Sequence, residues 1–208
     1  MVKVSIIFVH YSTDDFKSYI GKYCLKRLWR YTRKVPEIEL IVVNNGERDK
    51  DFSEICDKYI DNPNNSLGGA RNLGFDASTG EYVCFIDNDV LAEWPFWIEC
   101  YELLEKYKDR KLIATPVYTP HHMLREQFQA GELDGHLLNK RSGSNCLFMS
   151  RKSFEDIGRF PEIHPAKDGV IFCDRQNKKG YLVIHTRPLM ARDLGIGNYD
   201  YKKTIGSD

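Results

Sequence analysis

Asp87 and Asp89 stand one residue apart at the end of an apolar run, Gly80-Glu81-Tyr82-Val83-Cys84-Phe85-Ile86, with Asn88 between them. Carboxylates at that spacing supply hard oxygen ligands, which suit a divalent cation and let it bridge to phosphate oxygens. The same three residues are also ordinary turn and cap chemistry, because Asp and Asn readily bond their own backbone. The run that delivers them matters more. A short segment rich in Val, Phe and Ile, opened by Gly80, has the pattern of a buried strand in a parallel sheet. Open α/β sheets bind ligands beyond the carboxyl ends of their strands, where this pair would emerge.

Periodicity predicts the elements that must hold it. Residues 3–10 form an apolar strand, followed by a polar stretch at 11–15. Phe16, Ile20, Tyr23, Cys24, Leu28 and Tyr31 then recur at helical spacing over 16–33. A second strand at 39–43 is closed by Asn44-Asn45-Gly46, a strong turn signal. Residues 50–59 read as a short helix, Tyr59-Ile60 as a small strand, and a glycine-rich stretch opens a helix near 68–77. Strand, helix, strand, helix, strand argues for right-handed parallel crossovers, hence an α/β fold that begins with a Rossmann-like half. Beyond the aspartates come a helix at 94–107 and a strand at 111–116. The polar stretch 117–141, with His121-His122 and two glycines, is expected as loop or short helices over the site. A strand at 145–150, a short helix ended by Gly158, a helix at 168–179 stopped by Gly180 and a strand at 181–185 follow. Without a linker or an internal repeat, one domain over residues 1–208 is expected.

Hydrophobic residues are 42% of the 208 and charged ones 29%, enough for a sizeable core and unlike a disordered chain. Thirty Lys and Arg balance thirty Asp and Glu. That leaves no general electrostatic footprint for nucleic acid or an anionic membrane, so phosphate recognition has to be local. The six cysteines, at 24, 56, 84, 100, 146 and 173, include no Cys-x-x-Cys pair. They read as small buried hydrophobes in a reducing compartment, not as disulfides or a zinc site. The first apolar stretch is too short for a signal peptide and no run approaches a membrane span, so a cytoplasmic location is expected.

Six runs in register resemble one family. Val4-Ser5-Ile6-Ile7-Phe8-Val9, Ile41-Val42-Val43-Asn44-Asn45-Gly46, the stretch 64–74 with Gly68-Gly69-Ala70-Arg71-Asn72, and 80–89 are similar to the family-2 inverting glycosyltransferases of GT-A fold. Ser142-Gly143-Ser144-Asn145 through Phe160, and Arg175 through Tyr181, resemble that family's second half. The resemblance implies a single GT-A (Rossmann-like) domain with a mixed, mostly parallel central sheet flanked by helices. Its nucleotide-sugar half would lie at about 1–92 and its acceptor half at about 93–208. It also implies a metal-dependent, inverting hexosyl- or deoxyhexosyltransferase using Mn²⁺ or Mg²⁺. The donor would be a nucleoside-diphosphate sugar, UDP-type favoured, and the acceptor a glycan or other hydroxyl.

On that pattern Asp89 is the direct metal ligand, and Asp87 meets the ribose or a metal-bound water. Asn88 adds an amide without charge. Gly68 and Gly69 offer bare backbone at a helix start for close approach to a nucleotide, and Arg71 reaches either the base or the phosphates. His10, Tyr11 and Ser12 frame the base, with Tyr11 either stacked on it or capping the core. Asn44 stands where relatives usually have Asp against a uracil N–H, and an amide can donate or accept, which leaves the base open. Relatives carry a Glu-Asp pair whose Asp is the general base; here the stretch is Lys167-Asp168-Gly169 and Arg175 is one residue late. Anchored on Lys-Asp the pattern puts Asp168 at the base, and anchored on Arg175 it puts Asp168 at the Glu position and Gly169 at the base; Asp168 is the expected base. Asp174 is the other carboxylate nearby, and each helical residue advances about 100°, which turns it roughly 240° away. As a structural residue Asp168 would be a helix N-cap. Near the C-terminus, where relatives often place a metal-binding His, Asp193 stands instead, with His185 as the rival. Trp94 and Trp97 read as core, Trp94 being the better placed for sugar.

Two other functions fit parts of the pattern. A sugar-1-phosphate nucleotidyltransferase would want a glycine-rich basic loop straight after the first strand, and His10-Tyr11-Ser12-Thr13-Asp14 is not one. A catalytically silent nucleotide- or glycan-binding relative would bind donor without releasing diphosphate. The chain could be one module of a larger protein.

Overall fold

The computed structural model describes residues 1, 3–12, 14–46, 52–116, 128–141, 143–163, 165–186 and 191–194. Among the described residues nine strands make one sheet in the order β3-β2-β1-β4-β9-β6-β10-β8-β7. Its first half is β1 (Val4–His10), β2 (Ile38–Asn44), β3 (Lys58–Asp61) and β4 (Tyr82–Asp87). These four are mutually parallel. The second half is β6 (Leu112–Thr115), β7 (Gln129–Leu133), β8 (His136–Asn139), β9 (Cys146–Ser150) and β10 (Leu182–His185). There β9 runs antiparallel to both β4 and β6, β10 is parallel to β6, and β8 is antiparallel to β10 and β7. The sheet is mixed as expected, with only β9 and β8 running against the rest.

Side-chain alternation splits the core into two layers. Val4, Ile6 and Phe8 of β1 and Cys84 and Ile86 of β4 pack under α1 (Asp15–Thr32) and α3 (Phe96–Lys106). Ile7, Val9, Val83 and Phe85 face α2 (Leu67–Ala77), α4 (Arg151–Ile157) and α5 (Pro165–Lys178). The helices start where side-chain caps allow. Asp14 accepts from the Lys17 amide, Ser66 from that of Gly69 and Ser150 from that of Ser153, each satisfying a first-turn N–H that has no partner within its helix. All six thiols are free, as expected. Among the described residues no helix is long and apolar enough to cross a membrane.

Three local expectations are corrected. Residues 50–59 are not a helix: the described part is one 3-10 turn, Ser53–Ile55, before β3 begins at Lys58. The Asp57 carboxylate accepts the Leu40 amide and draws the chain into the edge of the sheet. The stretch 117–141 is not merely loop, because β7 and β8 form a hairpin. Its turn, Asp134-Gly135, has positive φ at both residues, a hairpin signature present in the sequence. His121-His122 lie outside the described residues. The third correction is a short antiparallel pair that periodicity did not predict, β5 (Val90–Ala92) with β11 (Ala191–Asp193).

At the amino ends of the parallel strands a buried carboxylate is wholly satisfied. Glu39 accepts from Ser5 Oγ at 2.6 Å, Lys58 Nζ at 2.8 Å, and the Thr79 amide and hydroxyl. Burial pushes its carboxyl up, but these donors outweigh burial and hold it below the ordinary 4.5. A lowered folded-state value stabilises above the unfolded value, and that stability is lost as pH falls through the lowered one. Glu39→Gln is therefore expected to cost about 1–3 kcal/mol at neutral pH and to flatten the loss on acidification, read by urea denaturation across pH.

Candidate active site

The carboxyl ends of β1, β2, β3 and β4 form one rim, and the amino end of antiparallel β9 meets it. Asp87 ends β4 with the parity of Val83 and Phe85, so its side chain turns towards α2 and α5. Arg71, on the first turns of α2, lies beneath it with 0% exposure. The guanidinium donates from Nη2 to Asp87 Oδ1 at 2.7 Å and from Nη1 to Asp168 Oδ2 at 2.8 Å. Nη2 also reaches the Ser144 carbonyl at 3.2 Å, and the guanidinium carbon sits 4.9 Å from the centre of the Phe160 ring. The fork thus joins a carboxylate of the first half to one of the second.

The sequence reading aimed Arg71 at base or phosphate; the structure turns it inward, because both terminal nitrogens are taken by carboxylates. The glycines before it also serve packing. A Cβ at Gly68 would lie 2.2 Å from the Pro161 carbonyl oxygen, so only glycine lets segment 160–162 approach α2 this closely. Gly69 gives its amide to Ser66 and faces Glu162. Asn72 completes the seam, exchanging two hydrogen bonds with the Phe160 backbone.

Asp168 is not an N-cap. α5 begins at Pro165, which puts Asp168 in its first turn, buried and pointing at Arg71. Gly169 abuts Ser144: a Cβ there would lie 2.3 Å from the hydroxyl oxygen. This close contact holds the first turn of α5 against the end of β9. Asp174 is on the other side of the helix, paired with Arg141. Burial raises the Asp168 carboxyl, opposed in part by Arg71 and by the Gly169 and Asp168 amides. Burial likewise raises Asp87, with Arg71 opposing and Asp168 and Asp193 adding to the rise.

Asp89 lies half-buried in the turn between β4 and β5. Its carbonyl takes the Leu194 amide, and β11 pairs Asp193 with Val90. Asn145 donates to Asp193 at 2.8 Å, while its carbonyl takes the Asp87 amide. Asp87, Asp89 and Asp193 therefore lie at one rim, and carboxylate oxygens are the ligand type that Mg²⁺ or Mn²⁺ takes. Among the described residues no three His, Cys, Asp or Glu side chains are grouped so that they could by themselves hold a metal ion. A cation sharing its coordination with a diphosphate needs no such group. His185, the rival ligand, is held apart on β10 with two strands between it and β4, buried against Asn139.

The remaining candidates line β1 and β2. His10 shares the parity of Ile6 and Phe8, so its ring is buried under α1, edge-on to Phe52 at 4.4 Å and against Gly21. It supports the rim from below and does not frame it. Asn88 donates to the Tyr11 carbonyl at 2.7 Å, tying the aspartate turn to β1. The Tyr11 ring lies over Gly46, and Ser12 is buried. Asn44 spends its amide hydrogens on the Gly46 carbonyl and on Asp61, which leaves its oxygen as the acceptor. An acceptor is what the Asp of relatives would offer there. Trp97 is core at 3% exposure, whereas Trp94 stands out at 61%. Ser144, Asn145, Asn72 and Phe160 lay within the matching runs but drew no role, since nothing local marks a carbonyl or amide as a partner of Arg71 or Asp193.

Comparison with known proteins follows the same lines. The model for Glycosyl transferase family 2 matches residues 7–157. Over 114 residues, 51% of this chain, it is 32% identical to "Glycosyltransferase GlyA" of Streptococcus pneumoniae serotype 4 (strain ATCC BAA-334 / TIGR4). Over 117 residues it is 32% identical to EpsH of Bacillus subtilis (strain 168). These matches span 16% and 30% of the two relatives' lengths. The S. aureus TarS 1–349 crystal structure superposes with a TM-score of 0.67 at 14% identity, covering 92% of this chain and 60% of that one. That of GalNAc-T7 with UDP, GalNAc and Mn²⁺ gives 0.66 at 11% identity, covering 92% and 43%. At such identities the likeness speaks for the fold, which is GT-A. With the family model spanning more than half of it, the chain belongs to glycosyl transferase family 2.

Proposed function

We propose that the chain is the catalytic module of an inverting glycosyltransferase that moves a hexosyl or deoxyhexosyl group from a nucleoside-diphosphate sugar, UDP-type favoured, to a hydroxyl of a glycan acceptor. The observation that carries this is the convergence of Asp87 and Asp168, from the two halves of the chain, on one buried guanidinium at the carboxyl rim. Asp168 takes the proton of the acceptor hydroxyl as its oxygen bonds to the anomeric carbon. The bond from that carbon to the diphosphate oxygen breaks, its electron pair leaves with the diphosphate, and the anomeric centre inverts. A raised carboxyl suits a base better than an ordinary Asp does. Asp87, Asp89 and Asp193 would hold Mg²⁺ or Mn²⁺, which supplies positive charge for the leaving diphosphate. Tyr11, Ser12 and the Asn44 oxygen bound the place of the base, with His10 and Asn88 bracing them, while Arg71 stays beneath Asp87.

Residues 1–208 act as one GT-A unit on the cytoplasmic side. The short spans of GlyA and EpsH that it matches favour one module of a larger protein. The test is a screen of sugar nucleotides by thermal shift with Mn²⁺, followed by diphosphate release from those that bind. A ligand at about 100 times its Kd stabilises by about 2.7 kcal/mol, an easily read shift. Stabilisation by a UDP-sugar with slow UDP release is expected; stabilisation with no release would make the chain a silent binder.

A further inference from the structure

We infer that Arg71 is a positioning residue that sets the general base, and that the Gly68–Asn72 run works as a coupling between the donor half and the acceptor half. The inference rests on the proposed glycosyl transfer. Its ground is that, apart from the helix's own cap at Ser66, the polar and close contacts of this run described above reach the second half or Asp87. Gly68 meets Pro161, Gly69 faces Glu162, Asn72 clamps Phe160, and Arg71 spans Asp87, Ser144 and Asp168. A planar guanidinium is suited to this because it presents donors in a fixed fork, so the place of one carboxylate fixes that of the other. Phe160 lies against the guanidinium and is itself held by Asn72, so neighbouring residues of one helix fix both the fork and its apolar support. Gly169, in contact with Ser144, closes the loop by holding Asp168 in the first turn of α5.

Arg71 acts through Asp168, so its loss should appear in turnover and not in donor affinity. The experiment compares Arg71→Lys, Arg71→Ala, Asp168→Asn and the double variant Arg71→Lys/Asp168→Asn in the full chain. Release of UDP from a panel of UDP-hexoses with Mn²⁺, water serving as acceptor, gives kcat; calorimetry with UDP and Mn²⁺ gives Kd. Arg71→Lys is expected to lower kcat by roughly two decades, because an ammonium is a point charge without the fork that joins two carboxylates. Its UDP Kd should stay within about threefold of wild type, and Arg71→Ala should be slower still. The double variant should be no slower than Asp168→Asn alone, since residues that act as one unit lose their effect only once. Multiplying losses, or a Kd that rises in step with the fall in kcat, would overturn the inference and return Arg71 to the diphosphate. If Arg71→Ala does not fold, Arg71→Lys and the double variant carry the test. Absence of release by the wild-type chain from the whole panel overturns the glycosyltransferase reading, and this inference with it.

Discussion

Asp168→Asn is expected to slow sugar transfer by roughly two to four decades while UDP affinity is kept, because a general base of the kind proposed contributes about that much and works on the acceptor side. Asn is nearly isosteric and retains an oxygen for the Arg71 Nη1–H. Arg71 keeps Asp87 and the Ser144 carbonyl as partners, so the charge is not stranded. Folding should survive at a cost of about 1–3 kcal/mol. Asp174→Asn is the control: its salt bridge to Arg141 lies on the more exposed side of α5, and transfer should proceed at the wild-type rate. Steady-state rates with donor saturating, and calorimetry on each variant, separate turnover from binding. A normal rate in Asp168→Asn with a slow Asp174→Asn would mean that the register of α5 has been misassigned. Normal rates in both would place the base elsewhere.

Asp89→Ala is expected to abolish the metal dependence of nucleotide binding, the second large effect. The turn that carries Asp89 is held by backbone: its carbonyl accepts the Leu194 amide, and the adjoining β5 pairs with β11. Truncating the side chain therefore removes an oxygen ligand without dismantling the turn. UDP titrated with Mn²⁺ into wild type should bind at least about tenfold more tightly than without it, the scale on which sites of this type change with their ligands. The two titrations should coincide for Asp89→Ala. Asp193→Ala should weaken binding less, since Asp193 is also engaged by Asn145. Equal UDP affinity with and without Mn²⁺ in wild type would remove the cation from the donor site.

Much of this molecule was legible in its residues. The alternating strands, the Asp87-Asn88-Asp89 rim and the helix after the glycine-rich stretch follow from periods and turn chemistry that act over a few residues, and the first four strands are parallel as expected. His10, expected to frame the base from its strand-end position, instead follows the parity of β1 to the buried face with Phe8. Tertiary structure alone decided where Arg71 points. Its first contacts with carboxylates lie 16 and 97 residues away in the chain, and no local pattern encodes a pairing at such a distance. The same holds for the β5–β11 pair, whose strands of three residues carry too few positions to show a period, yet whose pairing brings Asp193 beside Asp89. It also holds for which of Asp168 and Asp174 faces Arg71. Sequence spacing left Asp168 or Gly169 at the base position, with Asp174 as the other nearby carboxylate; in the fold Gly169 abuts Ser144, Asp168 faces Arg71 and Asp174 pairs with Arg141.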